Sequence, residues 1–321
     1  MTALSLSPNG KAMPPTMTHR SSGDLRADRR YEYARAAFDE KDFEAAADLA
    51  RQVLELAPDF AAAHALLGRS LAEQGDREEA AGALRRALEL EPDDTLGVRL
   101  DLAWLGALPP DGAMTDSYVR ALFDEYAPSF DRHLTKSLAY RGPDLVADAL
   151  RRACSRLDRP YGFGLVLDLG CGTGLMARAL EGACGRIEGV DLSRLMLEKA
   201  RQTRLYADLH ESDLVGLLSR RATGEADLVV AADVFVYMAS LEAAFRETHR
   251  VLGPKGLFSF TVQAHGGEGY VLGADARYAH SEAYLRELAA TCGFTVVLLE
   301  QASTREDRGK PVPGLLAVFQ R

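Results

Sequence analysis

From residue 28 to about residue 108, apolar positions recur every three to four places and are mostly Ala and Leu, the pattern of successive amphipathic helices. Beyond that the period changes. From residue 165 onward, short runs rich in Val, Leu and Phe alternate with helical stretches. The runs fall at 165–168, 186–190, 209–212, 227–231, 257–262, 295–300 and 315–319. Helices separate the first six, which predicts right-handed crossovers and a parallel sheet. The polar, helix-free stretch ASTREDRGKPVPG joins the last two, so the seventh strand is expected to return antiparallel. Between the two halves LPPDG reads as a linker. SYVRALFDEYAPSFDRHL follows it, aromatic-rich and helical with a break at Pro128, and a further helix is expected from Gly142, with Pro143 in its first turn, toward Leu157. The Ser-, Pro- and Thr-rich start lacks the apolar core of a secretion signal and is expected to be a disordered leader. The expected division is thus 1–27 leader, 28–108 helical domain, 109–116 linker and 117–321 α/β domain, with 117–160 supplying lid and lead-in helices.

The helical half contains a repeat. EAAADLARQVLELAPDF and EEAAGALRRALELEPDD place Pro58 and Pro92 thirty-four positions apart, and Ala46 matches Ala80 at the same offset, as Val53 matches Ala87. Small residues stand where paired helices must pack closely, and a proline ends the second helix of each pair. Period, small residues and terminal proline resemble the tetratricopeptide repeat. Gly68 takes the close-packing glycine position, where the first copy has Ala34; Arg30 and His64 replace the tryptophan of the consensus. A following helix is expected around residues 95–106.

The α/β half opens with VLDLGCGTGLMARAL, a strand that breaks into glycines at alternate positions, Gly170, Gly172 and Gly174, and then a helix. An open α/β sheet builds a nucleotide site this way. A dinucleotide fingerprint needs its third glycine one residue later, where Leu175 stands. Asp168, just ahead of the loop, suits a cationic ligand better than a pyrophosphate, and S-adenosylmethionine carries both an ammonium and a sulfonium. Asp191 closes the second strand about twenty residues on, where an acid can accept both ribose hydroxyls, a signal shared with NAD enzymes. Asp213 closes the third strand and is placed to accept from an adenine amino group, or else to cap the helix ahead of VGLL. Three acids at three successive strand ends favour S-adenosylmethionine.

VLDLGCGTG, GVDLS, ESDL, ADLVVAADVF and LGPKG before GLFSFTV resemble the ordered motifs of class I S-adenosylmethionine-dependent methyltransferases. LFDEYAPSFDRHL, AADVFVYM and RYAHSEAYLREL, behind the repeats, are similar to a bacterial group of predicted repeat-containing methyltransferases. The resemblance implies a Rossmann-like seven-stranded α/β sheet with its last strand antiparallel, behind a small all-α repeat domain, and S-adenosyl-L-methionine as cofactor. It implies cofactor contacts at Asp168, Gly170, Cys171, Gly172, Gly174, Asp191, Leu192, Met196, Ser212, Asp213, Leu214 and Ala231. Gln263 departs from it, standing where an acid is expected to close the fifth strand.

Methyl transfer is an in-line displacement in which positioning supplies much of the rate, and a weakly acidic nucleophile also needs a base. Asp233 is not followed by Pro-Pro-Tyr, so the signature of enzymes methylating planar amide or base nitrogens is missing, as is a paired-glutamate loop of the arginine methyltransferase type. Tyr126 and Phe130 from the lead-in helices, Tyr237 after the fourth strand, and Arg277, Tyr278 and His280 after the fifth are expected to line the pocket. His280 is a base or orienting donor, or simply a residue at a helix start beside Ser281; Arg277 could pair with a substrate carboxylate. Phe123, Tyr126 and Phe130 share one helical face, expected to close over the ligand.

The remaining numbers restrict partners and place. With 321 residues, 47% hydrophobic and 26% charged, the chain can bury a full-sized core. A net charge of −9 argues against general attraction to nucleic acid or anionic membranes, and no apolar run is long enough to span one. The four cysteines form no C-x-x-C pair and the seven histidines no ligand motif, so free thiols, a cytoplasmic location and no metal are expected. The leading expectation is methylation of an O, N, S or C nucleophile of a small molecule. The alternatives are a peptide or protein acceptor presented by the repeats, or a non-catalytic repeat scaffold; protein contact or homo-oligomerisation is expected of the repeats.

Overall fold

The computed structural model describes residues 21–128, 130, 140–307 and 309–321. It divides into two units, one running up to Glu125 and taking in Gly273–Ala276, the other comprising Tyr126–Leu272 and Arg277–Arg321. Of the expected leader, residues 1–20 lie outside the described residues, as does His133 in the aromatic-rich segment.

In the first unit α1 (Leu25–Asp39) and α2 (Phe43–Leu56) form one helical pair, α3 (Ala61–Gln74) and α4 (Arg77–Leu90) the next. Asp24 and Asp42 cap α1 and α2 by accepting backbone amides, which satisfies donors the helix itself cannot. The repeat is visible in the backbone as well as the sequence. Ala57 (φ −138°, ψ 79°) and Glu91 (φ −133°, ψ 78°) leave the helix at the same point in each copy, because the following proline excludes the helical region. Ala34, Ala46, Ala80 and Ala87 are fully buried. At Gly68 an added Cβ would lie 2.6 Å from Leu84 Cγ and 3.0 Å from the Ala80 carbonyl, so this position admits no side chain without moving backbone. The trailing helix, α5 (Val98–Trp104), is shorter than expected. Asp94 and Gly97 adopt left-handed conformations, and the Asp94 carboxylate caps the Val98 amide at 2.6 Å, so helix begins only there. Trp104 Nε1 donates to the Gly273 carbonyl at 3.3 Å within the same unit. The helix α6 (Asp116–Tyr126) ends two residues before Pro128.

The helices of the second unit include α7 (Gly142–Arg156), which has Pro143 in its first turn, α8 (Leu175–Ala179) and α11 (Glu242–Val251). The strands β1 (Phe163–Leu169), β2 (Cys184–Asp191), β3 (Asp208–Glu211), β4 (Ala226–Ala231), β5 (Leu252–Ala264), β8 (Thr295–Ala302) and β11 (Gly314–Gln320) lie in the order β3-β2-β1-β4-β5-β11-β8. β11 is antiparallel to both β5 and β8, and β1 to β5 run parallel. This is the expected seven-stranded Rossmann-like sheet. Its order reverses between β1 and β4, and ligands bind outside the carboxyl ends at such a switch point. Side chains alternate between two buried faces. Val166, Leu228 and Leu316 join one core with α7; Leu167, Val229 and Phe258 join the other. In the latter the Phe245 ring lies 5.3–6.3 Å from the rings of Phe235, Phe258, Phe260, Phe294 and Phe319. Truncating it to Ala would cost about 3–5 kcal/mol.

Two additions were not expected. β6 (Tyr270–Leu272) and β7 (Tyr278–His280) pair with each other, and β7 continues the sheet beside Gln263 and Ala264 of β5. His280 therefore lies on a strand, and Ser281 caps the helix that follows, α12 (Glu282–Cys292). The ASTREDRGKPVPG connection holds a small hairpin of β9 (Glu306–Asp307) and β10 (Lys310–Pro311). Among the described residues no helix is long and apolar enough to cross a membrane.

Candidate active site

The glycine loop leaves β1 with Gly170, Gly172 and Gly174 all at positive φ (64°, 53° and 92°), the left-handed region that side chains rarely occupy. A Cβ at Gly170 would lie 2.5 Å from Val234, whereas at Gly172 the nearest atom is 3.9 Å away, on the Phe130 ring. The loop thus packs tightly at its root and keeps a cradle at its crest. Between them Cys171 is buried, donates its amide to the Val190 carbonyl (2.9 Å), and has its thiol pushed well above the usual range by burial. Cys171 packs on β2, where only glycine fits, since a Cβ at Gly189 would lie 2.8 Å from its Sγ.

Asp168 stands at the end of β1, beside Gly189 of β2 and Val230 of β4, and is 2% exposed. Burial pushes its carboxyl up to about 7; the Tyr206 hydroxyl, donating to Oδ2 at 2.6 Å, pulls it down, and the Asp191 charge pushes it up. A carboxylate held this way gains from a cation, which would lower its proton affinity. Asp191 at the end of β2 accepts the Gly172 amide at 2.9 Å and the Ser193 amide at 2.8 Å. A carboxylate has about four acceptor positions, and these amides orient it while occupying two. Ser193 caps the helix α9 (Arg194–Thr203) through the Met196 amide.

Asp213 lies past β3 and caps α10 (Leu214–Arg220), accepting the Gly216 amide at 2.6 Å. Ser212 accepts from Arg220 at 2.9 Å, and Leu214 packs on the phenylalanine-rich core. Leu192 is half-buried, Met196 fully buried. Ala231 ends β4 against Phe260 of β5. The fold thus gathers Asp168, the three glycines, Cys171, Asp191 and Ala231 along one edge of the sheet. Asp213 and its neighbours lie farther along that edge, at the end of β3.

Of the expected pocket residues, Tyr126 and Phe130 meet edge to face with centroids 5.3 Å apart. Phe123 belongs to the first unit. Tyr237 is half-buried in a 3₁₀ turn, Phe235–Tyr237, and Arg277 is half-buried just ahead of β7. His280 is completely buried, and its Nε2 donates to the Ala239 carbonyl at 3.0 Å while Nδ1 meets no hydrogen-bonding partner. Burial brings its ring down to about 4, so it is neutral at physiological pH. It lies against Tyr284 with nearly parallel rings, 5.8 Å between centroids.

Sequence reasoning missed Tyr206, Tyr140, Thr304 and Arg305. Tyr206 follows α9 in an unremarkable RLYADL stretch, and Tyr140 precedes α7; burial pushes the phenols of both well above their usual range. Among the described residues Glu188, Asp208 and His210 bring possible ligand atoms within 4.8 Å of one another. Glu188 is already paired with Arg186 (2.5 Å) and Arg221 (2.9 Å), so a cation there would face two guanidiniums.

Residues 166–256 match the methyltransferase domain family and residues 37–105 the tetratricopeptide repeat family. Over 114 residues the chain is 40% identical to human methyltransferase-like protein 27, covering 34% of this chain and 44% of that protein. Over 107 residues it is 37% identical to the malonyl-[acyl-carrier protein] O-methyltransferase of Legionella pneumophila, covering 30% of this chain and 35% of that one. The chain thus spans less than half the length of these relatives. A Burkholderia thailandensis 1,6-didemethyltoxoflavin-N1-methyltransferase structure aligns with a TM-score of 0.48 at 19% identity, over 64% of this chain and 88% of its own. The chain carries a methyltransferase domain behind tetratricopeptide repeats, and S-adenosylmethionine is the cofactor of that domain family.

Proposed function

We propose that this chain, a tetratricopeptide-repeat protein with a methyltransferase domain, transfers a methyl group from S-adenosylmethionine to a nucleophile of a small molecule in the cytoplasm. The observation that carries this is the arrangement at the switch point. The glycine loop donates its Gly172 amide to Asp191, while Asp168 lies buried beside the same loop. Asp191, oriented by two amides, accepts the ribose hydroxyls. Asp168 faces the ammonium, with the Ala231 carbonyl on the same ligand group. Asp213 accepts from the adenine amino group through the oxygen not spent on its helix cap, and Leu192 covers the adenine face over a floor that includes Met196. Ser212 and Leu214 hold this last segment in place. S-adenosylmethionine supplies an activated methyl on a sulfonium, so the protein has to orient the acceptor and exclude water.

Tyr126, Phe130 and Tyr237 are the pocket residues this reading favours as acceptor contacts. His280, neutral and with Nδ1 as an acceptor, can accept a hydrogen bond from a hydroxyl or amine of the molecule being methylated. The repeats serve assembly or presentation of the acceptor, and the chemistry resides in the α/β unit. Calorimetric titration of the full chain with S-adenosylhomocysteine and with NADH tests the reading. Micromolar binding of the former is expected; micromolar NADH with no S-adenosylhomocysteine binding would overturn it.

A further inference from the structure

The repeats carry a seat for an aromatic ring, and the chain fills it itself. Gly97, just ahead of α5, has φ +72°, and a Cβ there would lie 2.5 Å from Tyr118 Cε2 and 2.7 Å from Tyr118 Cδ2. The missing side chain is what lets the ring lie against the backbone. Beside it Arg69 of α3 donates from Nε to Asp101 Oδ2 at 2.7 Å and from Nη2 to the Leu96 carbonyl at 2.6 Å. The same guanidinium is within electrostatic reach of the phenols of Tyr31 on α1 and Tyr118 on α6. Tyr118 is 1% exposed. All of these residues belong to the first unit.

A second contact follows two turns along α6. Tyr118 and Glu125 are seven positions apart, so they share a face of the helix and stand about 10 Å from each other. Partial burial raises the Glu125 carboxyl above its ordinary range, against the pull of the Arg35 guanidinium of α1. Arg35 and Arg69 are thirty-four positions apart, the repeat period, and so hold equivalent places on the first helix of each pair. Packed helices lie about 8–10 Å apart, which spaces the two arginines as the two α6 residues are spaced. Arg35 Nε is buried and meets no hydrogen-bonding partner, so this position can receive an acid. α6 runs from α3 toward α1 and meets the repeats in step with their period.

The helix is lightly held. Of its eleven residues Tyr118 and Val119 alone are buried, and a helix of this length is marginal by itself. Its first turn is capped from within the segment, since Thr115 Oγ1 accepts the Tyr118 amide at 3.1 Å. We propose that the seat at Gly97 and Arg69, with Arg35 beside it, is a helix-binding site of the repeats, and that α6 occupies it in cis as an exchangeable ligand. The partner it fits is a short amphipathic helix carrying a tyrosine and, seven residues on, an acid; such a helix binds by displacing α6. A tyrosine in a preformed, desolvated seat is the kind of anchor that carries most of the affinity of a small interface. The acid on Arg35 sets the direction in which the helix lies.

A fluorescently labelled synthetic peptide of residues 113–126, titrated with the full-length chain and read by anisotropy, tests this. In the wild type the tethered helix competes at an effective concentration of about 1 mM, so a peptide of about 10 μM intrinsic affinity should bind about 100-fold more weakly than that. Tyr118→Ala in the protein removes the cis anchor and should tighten peptide binding by about tenfold or more. The same substitution in the peptide should abolish it. If Tyr118→Ala does not fold by circular dichroism, Glu125→Arg, at the exposed margin of α6, sets two cations against each other and should tighten peptide binding by about threefold or more. Adding Arg35→Glu to Glu125→Arg restores opposite charges within the chain and should return binding to the wild-type weakness. Equal binding by wild type and folded variants, no binding by a folded variant, or a peptide lacking the tyrosine that binds as well as the native one would each overturn the proposal.

Discussion

Replacing Tyr206 with Phe removes one hydroxyl and leaves the ring, whose edges pack close to Gly174 and Gly189. The hydroxyl donates to Asp168 Oδ2 at 2.6 Å, and Asp168 sits at about 7 with that bond in place. A hydrogen bond to a charged group contributes about 1.5–3 kcal/mol, so its loss should raise Asp168 by about 1–2 pH units. The sign follows from the acid form. Asp168 is ionised above its pKa, in the proposed function that ionised form attracts the ammonium of S-adenosylhomocysteine, and raising the pKa moves the attraction to higher pH. At pH 7 the ionised fraction falls from about one half to about 1–10%, a loss of roughly 5- to 50-fold in affinity, since binding draws on the competent fraction. Near pH 9 most of the difference between the two proteins should vanish, and loss of the ligand amine's own proton weakens both alike. Titration calorimetry at pH 6, 7, 8 and 9 on both proteins measures this directly. The wild type should also release a fraction of a proton on binding near pH 7, read from the buffer dependence of the heat. An equal loss at every pH, or unchanged affinity at pH 7, would refute the account of Asp168.

Asp191→Ala removes the acceptor of the Gly172 and Ser193 amides and, on the proposed reading, of the ribose hydroxyls, and should cost about 2–4 kcal/mol of S-adenosylhomocysteine affinity by calorimetry, with the protein still folded by circular dichroism. Gly68→Ala forces a Cβ to within 2.6 Å of Leu84 and 3.0 Å of the Ala80 carbonyl, and should destabilise the repeats by about 1–3 kcal/mol in urea denaturation, with cofactor affinity unchanged. A chain beginning near Asp111 should still bind S-adenosylhomocysteine, with poorer solubility; if it folds but no longer binds, the repeats take part in the active site and the separation of roles fails.

The strand pattern, the glycine spacing and the repeat period were readable because each rests on local physics. Alternating and continuous apolar runs state which segments are sheet, and three glycines at alternate positions state that the backbone must turn through left-handed conformations. Pro58 and Pro92 likewise mark where a helix has to stop whatever surrounds it. Asp191 was legible for the same reason, since its place at a strand end follows from the order of elements. Asp213 was legible only as two alternatives, and the structure shows the helix cap directly.

Other features depend on which distant segments meet. Tyr206 reaches Asp168 across 38 positions, and Arg305 reaches Gln263 across 42. Neither lies in a motif, and both stretches read as ordinary polar connections. The strands β6 and β7 are three residues each, too short to carry a period, and form because β5 extends to Ala264 and offers β7 an edge. That pairing buries His280, and burial rather than residue type brings its ring down to about 4. Burial likewise sets Asp168 near 7. The class of fold, the repeat and the backbone of the glycine loop depend on local conformation and hydrophobic period, so they can be read along the chain. Which polar groups lose their water, and which partners they find, emerges on folding, because desolvation is a property of everything packed around a residue.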